Sequence, residues 1–366
     1  MDALPTKRKI LKVNLQFIGI QSAYWICFFC LAGFVVVQLQ EKGFSNSQIG
    51  ILIAVQAIAS IFAQPVLSSF AEKNRNIPLK FWVVLQLGVS TIAVFSLYFL
   101  RHSMVAGLAI FIVLGISIYS SMSIINAIAM QLTNSGIPIN YVMARCFGSL
   151  MFAISGIVIG RLVENLGLNI IIPAFIISSI VAIIIVATIY SPPIPKEIEP
   201  LDTPKKAYLG GFVQFFRTKK AFTGFCIASV FLFANHACLN TYIPNIVYSL
   251  GGGEADQGIV RSIAAVVELP IMIASAYFAI KFKPEKLLIF SSFFFAIKGL
   301  LTLFSANLGM LFLVQIIQMP AFGLYFPISV IYANKIAGDN ERVRAQAYAT
   351  VAGMGVGMVA GNLIGG

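Results

Sequence analysis

The chain has 366 residues, of which 59% are hydrophobic and only 10% charged, where a soluble domain carries about a quarter; a water-soluble globular protein is excluded. The net charge of +12 would suit a nucleic-acid binder, but the basic residues fall where they orient membrane helices, as shown below. Apolar runs of about 20 or more residues match the thickness of a bilayer's hydrocarbon core as helix. Runs such as Ile170–Ile189 lack the alternation of a membrane β-barrel.

In chain order, Lys7, Arg8, Lys9 and Lys12 lead into a first run, 13–39, that is too long for the apolar segment of a cleaved signal. Further spans follow at 46–70, 80–100, 104–132, 142–163, 168–190, 219–249, 256–280, 286–304, 308–334 and 343–366. Turn-forming or charged residues separate them, among them Glu41-Lys42-Gly43, Arg75-Asn76-Ile77-Pro78, Asn134-Ser135-Gly136 and Gly251-Gly252-Gly253. The connection 191–218 is rich in Pro and charge (Pro192, Pro193, Pro195, Lys196, Pro200, Lys205, Lys206) and reads as a linker. It divides a six-helix bundle, residues 1–190, from a second bundle, residues 219–366, whose twelfth helix is expected to have been cut off.

Lys and Arg accumulate on the cytoplasmic side of membrane helices. A cytoplasmic N-terminus puts 20 of them on that side, including Lys73, Arg75, Lys80, Arg145, the linker's basic residues, Lys281, Lys283, Lys286, Lys335, Arg342 and Arg344; the opposite loops hold Lys42, Arg101 and Arg161. The predicted location is the inner cell membrane, with the positive charge facing anionic lipid rather than nucleic acid.

Of 13 acidic residues only Glu268, in the eighth span, lies at mid-membrane. A bare carboxylate there costs a few kcal/mol and normally borders a cavity with a task. Arg261, seven residues earlier, shares its helical face about two turns away, and Lys298 lies in the next span. These three are the candidate proton-coupling residues. The alternative is a buried ion pair, in itself a weak source of stability. Pro270 is expected to loosen the helix just after Glu268.

Candidate substrate contacts are polar or aromatic groups inside the spans: Tyr24, Trp25, Asn126 and Arg145 in the first half, Asn235, His236 and Gln318 in the second. Tyr24 and Trp25 suit a ring or sugar face but also suit packing. His236 is read equally as a contact or as a hydrogen-bonded structural histidine, and the amides also suit helix-to-helix hydrogen bonds. The five cysteines read as small apolar side chains despite the Cys27-x-x-Cys30 spacing. Gly353, Gly355, Gly357 and Gly361 read as close-packing positions. Two histidines and one buried acid supply no metal site, so neither an intramembrane hydrolase nor a cofactor is expected, and six plus at least five helices around a charged linker argue against a channel.

The ordered set Gln48-Ile49-Gly50-Ile51-Leu52-Ile53-Ala54, Ala63-Gln64-Pro65, Ala23-Tyr24-Trp25, Arg145-Cys146-Phe147-Gly148, Val267-Glu268-Leu269, Lys298-Gly299 and Ala360-Gly361-Asn362 resembles the lactose permease branch of the major facilitator superfamily, the oligosaccharide and phenylpropionate proton symporters. The resemblance implies an all-α membrane protein built as two pseudo-symmetric six-helix bundles, a monomer that moves a small organic solute with protons by alternating access. It implies a sugar-contacting role for Arg145, a stacking position for Phe152, a coupling role for Glu268, and Lys298 in place of an arginine near the proton site. The sequence also departs from that pattern. Met130 stands where the sugar-binding acid belongs, and Tyr325, before Phe326-Pro327, stands where the proton-accepting glutamate belongs; Gln318 lies near the missing histidine's place, and by these positions Phe152 and Tyr325 join the candidate substrate contacts. The loop signature after the second span is degenerate, with Ser68 and Glu72. The turn Leu250-Gly251-Gly252 and the Glu268-x-Pro270 helix are similar to sugar-efflux members as well, leaving proton-driven efflux and uncoupled uniport as alternatives.

Overall fold

The computed structural model describes residues 7–73, 76–192, 215–336, 345 and 348–366. Most of the linker, together with Arg75, Arg342, Arg344 and the side chains of Ser68 and Glu72, lies outside the described residues. Among the described residues, eleven helices are long and apolar enough to cross a membrane. Backbone groups in lipid find partners only within their own segment, so apolar runs of this length become helices. Side chains such as Ile280, 88% exposed, and Leu303, 76% exposed, would be a liability in water and form the lipid-facing belt here.

The elements are Lys7–Gly33 with a short continuation Val35–Glu41; Asn46–Lys73; Leu79–Ser96; Met104–Ile116 continued by Ile118–Asn134; Tyr141–Leu166; Ile171–Thr188; Lys220–Thr241 continued by Ile243–Ser249; Glu254–Lys281; Pro284–Leu303; Leu308–Val314 continued through irregular turns to Leu324–Ile336; and a last span ending in Val351–Gly357 and Met358–Gly365. The first and seventh spans, read from sequence as uninterrupted, are each broken near one end, at Phe34 and Tyr242. Apolar residues continue on both sides of these breaks, so an apolar run alone does not register them.

The breaks recur with the internal repeat. The fourth span is interrupted at Ser117 and its counterpart, the tenth, across Gln315–Gly323. At the first interruption serine hydroxyls add bonds to nearby carbonyls: Ser117 donates to Val113 (2.6 Å), which also accepts the Ser117 N–H, and Ser120 to Gly115 (2.9 Å). In the tenth, Pro320 removes a donor and a π-turn takes up the slack over Met319–Gly323. By contrast, the eighth span runs helical straight through Pro270; the expected loosening after Glu268 takes the form of no break in the helix.

Packing follows the same repeat. Spans 1 and 5 pack together in the first half as 7 and 11 do in the second, and spans 3 and 4 as 9 and 10 do. Each half has its own apolar core, one around Phe17, Phe29, Phe111 and Phe175, the other around Phe222, Phe233, Phe295 and Tyr325. Two helix pairs join the halves, 5 with 8 and 2 with 11, and one pseudo-twofold operation exchanges them. Both contacts are tightest toward the same face. There Ser262 donates to the Ala153 carbonyl (2.5 Å), Ser47 to Gly366 (2.9 Å), and Gln40 to the Asn245 side chain (2.9 Å). Gly156, Gly160 and Gly258 let spans 5 and 8 approach backbone to backbone, and Gly50 does the same beneath Asn362. The four glycines singled out in the eleventh span pack as well: Gly353 lies against the Phe233 ring, Gly357 and Gly361 on the backbone of span 7, and Gly355 beside Ile61.

Candidate functional site

Between the halves, polar side chains from both bundles converge. On the second half Lys298 Nζ donates to Gln318 Oε1 (2.5 Å), and Gln318 Nε2 donates to Glu268 Oε1 (2.6 Å). An ammonium only donates and a carboxylate only accepts, so the amide between them has one possible orientation. Lys298 and Glu268 therefore interact through Gln318 across three helices. Lys298 and Gln318 are buried, while Glu268 is half-buried. The π-turn supports this contact: a Cβ at Gly323 would lie 2.7 Å from Ile271 and 3.3 Å from the Glu268 Cα, so only glycine lets the tenth span come this close.

Opposite, Arg145 lies over the Trp25 indole, 4.2 Å from its centroid, and donates to Ser149 (2.8 Å). The indole is pinned by its Nε1–H to Gln21 (3.3 Å) and by edge-on contact with Phe152 (6.0 Å). It rests on Gly148, where any Cβ would strike it. Arg145, Gly148 and Phe152 stand at i, i+3 and i+7 on one face of span 5, which is why this stretch cradles a ring. Arg145 and Glu268 interact electrostatically across the two halves.

The remaining sequence candidates are placed as follows. His236 stacks flat on Phe322 (4.4 Å, 9°), and its Nδ1 meets the Asn240 amide (3.1 Å), so Nε2 is its free nitrogen; Lys298 is within its electrostatic range. Asn235 donates to the Phe295 carbonyl (3.2 Å), clamping spans 7 and 9. Asn126 accepts from the Tyr141 hydroxyl (3.0 Å). Tyr24 and Tyr325 are buried with their hydroxyls engaged, Tyr24 on the Ile118 carbonyl (3.1 Å) and Tyr325 on Ser229 (2.7 Å); both sit in the packing of their half. Arg261 stands apart from the Lys298–Gln318–Glu268 chain, beside Tyr119. Tyr119, Phe28 and Phe322, which the sequence did not single out, complete the lining. Their only signal is aromaticity, shared with many exposed, lipid-facing residues.

Residues 20–366 match the model of the MFS_1 like family. The chain belongs to that family of major facilitator transporters. It is 23% identical over 350 residues to a maltose permease of Geobacillus stearothermophilus, covering 94% of this chain and 85% of that one. A point mutant of the nucleoside transporter NupG superposes with a TM-score of 0.80 at 16% identity, covering 96% of this chain and 90% of that one. A bacterial homologue of the lysosomal transporter Spinster, inward-facing and unoccupied, gives 0.69 at 17% identity over 98% and 82% of the two chains. The all-α fold of two pseudo-symmetric helical bundles is thus shared with solved major facilitator transporters, and the protein is a multi-pass membrane protein that serves secondary transport of small solutes.

Proposed function

We propose that the chain moves a small organic solute across the cell membrane by alternating access, with Glu268 as the group that couples the solute to a proton. One observation carries this reading: the sole mid-membrane acid is held by Gln318 and Lys298 on one bundle and faces Arg145 on the other. A charged carboxylate is costly in a closed, dry site and a protonated one much less so. Protonation of Glu268 and solute occupancy would then be needed together for the halves to re-orient.

The solute would lie against the Trp25 ring between Arg145 and Glu268, with His236 Nε2 and Asn126 as further polar contacts. A ring-bearing solute such as a sugar or oligosaccharide suits these groups, and the maltose permease among the relatives supports that class. With the N-terminus cytoplasmic, as the charge bias favours, the glycine-tight contacts would close the outer face. Residues 1–190 and 219–366 would be the two moving bodies, with 191–218 as their tether.

The test is transport by purified protein in proteoliposomes. Glu268→Gln is expected to retain solute exchange at equal pH on both sides and to lose pH-driven accumulation; accumulation at the wild-type level in that variant would sink the coupling role.

A further inference from the structure

Away from the ends of the described spans, the charged side chains are three cations, Arg145, Arg261 and Lys298, and one anion, Glu268. Glu268 is answered by Lys298 through Gln318, and Arg145 has the Trp25 face, Ser149 and a share of the Glu268 field. Arg261 has no such answer. Among the described residues it makes no hydrogen bond or ion pair, its Nε is buried without a partner, and its electrostatic neighbour is the neutral phenol of Tyr119. Arg261 is half-buried, with its Nε shut off from water; a partly desolvated guanidinium at this depth is costly unless an anion joins it, and its planar fork matches a carboxylate or phosphate.

The surroundings fit such a guest. Arg261 stands about two turns, roughly 10 Å, along the eighth span from Glu268, toward the closed face. Across from it an aromatic ladder begins at Tyr119, continues to Phe28 (centroids 5.1 Å apart) and reaches Trp25 (5.2 Å further) beneath Arg145. A ring compound lying along this ladder would have one end at Arg261 and the other at Arg145 and Glu268.

We propose that the solute is a ring compound carrying an acidic group, a carboxylate or phosphate, and that Arg261 receives that charge. The inference rests on the transporter reading above and narrows its substrate class. A sugar acid and an aryl carboxylate share this chemistry, and the assay must separate them.

The experiment uses the full chain with matched pairs: glucuronate against glucose, and 3-phenylpropionate against 3-phenylpropanol. Ligand-induced shifts in melting temperature report binding in detergent, and counterflow at equal pH reports transport. At least one acid is expected to bind while its neutral partner does not, and the pair that responds identifies the ring. Arg261→Gln is expected to weaken that binding roughly ten- to a hundredfold, whereas Arg261→Lys keeps the preference for the acid at lower affinity. Equal response to acid and neutral member, no response to any acid, or an unaltered preference in Arg261→Gln overturns the proposal. If Arg261→Gln does not fold, the wild-type comparison and Arg261→Lys still decide. Acid-selective binding without any counterflow would leave the charge assignment standing and remove the transport reading; counterflow of neutral solutes alone would do the reverse.

Discussion

Gly156 and Gly258 meet backbone to backbone where the fifth and eighth spans cross. A Cβ built on either collides with the other's main chain. The halves can therefore close at this face only while both positions lack side chains.

This contact yields the first prediction. Gly258→Leu cannot reproduce the closed face, so the equilibrium shifts toward the state open there. A ligand or mutation redistributes such states by its differential fit to them. Spin labels at Gln40 and Asn245, whose side chains are 2.9 Å apart across the halves, are expected to show a longer distance in this variant, with turnover reduced at least about tenfold. An unchanged label distance would show that the crossing tolerates bulk and that the closed face is not governed here.

The second prediction concerns the amide between Lys298 and Glu268. Gln318→Leu leaves a buried ammonium without an acceptor, which costs about 1–3 kcal/mol or more because the group is charged. Melting in detergent is expected to fall accordingly. Lys298→Met is expected to cost less in the Gln318→Leu background than alone, since the orphaned charge leaves with it; such non-additivity is what a shared network produces. Strictly additive losses would mean that the three residues do not act as a unit.

The legibility of this molecule in its sequence was uneven, for physical reasons. Lipid-length apolar runs and the one mid-membrane acid gave the helices and Glu268, because a bilayer penalises charge and unpaired backbone so strongly that few sequences cross it by accident. Gln318 is legible as a candidate substrate contact near the missing histidine's place, not as a bridge. Its bridging role depends on how closely the tenth span approaches the eighth, which is set by Pro320 and Gly323. Arg261 lies at the spacing that suggested a partnership with Glu268, yet helical spacing says nothing of what the facing helix offers; Gln318 already occupies that side of the acid. Tyr325 was placed at the site from its position in the family pattern, and Ser229 and the aromatic core hold it in the packing instead. The helix breaks at Phe34 and Tyr242 are not legible because apolar residues continue across each break.

A third prediction separates ion pairs that matter from those that do not. Lys335 and Glu285 form a 2.7 Å salt bridge, but their side chains are 51% and 40% exposed. Side-chain entropy and screening leave such pairs near 0–1 kcal/mol. Glu285→Gln is expected to leave melting and transport within error of wild type. A large loss in transport would assign this pair to a conformational latch on that side.

The last prediction follows from the seat of the Trp25 indole. Gly148→Ala places a methyl where the ring rests, so the indole must leave its position beneath Arg145 while span 5 loses nothing intrinsic to helix formation, alanine being the better helix former. Melting is expected to change little, and solute affinity to fall roughly tenfold, about 1.4 kcal/mol, since ring stacking and the Arg145 position are disturbed together. Tryptophan fluorescence reads this directly, because the chain has only two tryptophans and Trp82 packs against Phe70 and Phe81, away from the site. In a Trp82→Phe background the emission reports Trp25 alone. Solute is expected to shift that emission in the parent and to leave it unmoved in Gly148→Ala; the same shift in both would mean that the solute does not rest on this ring.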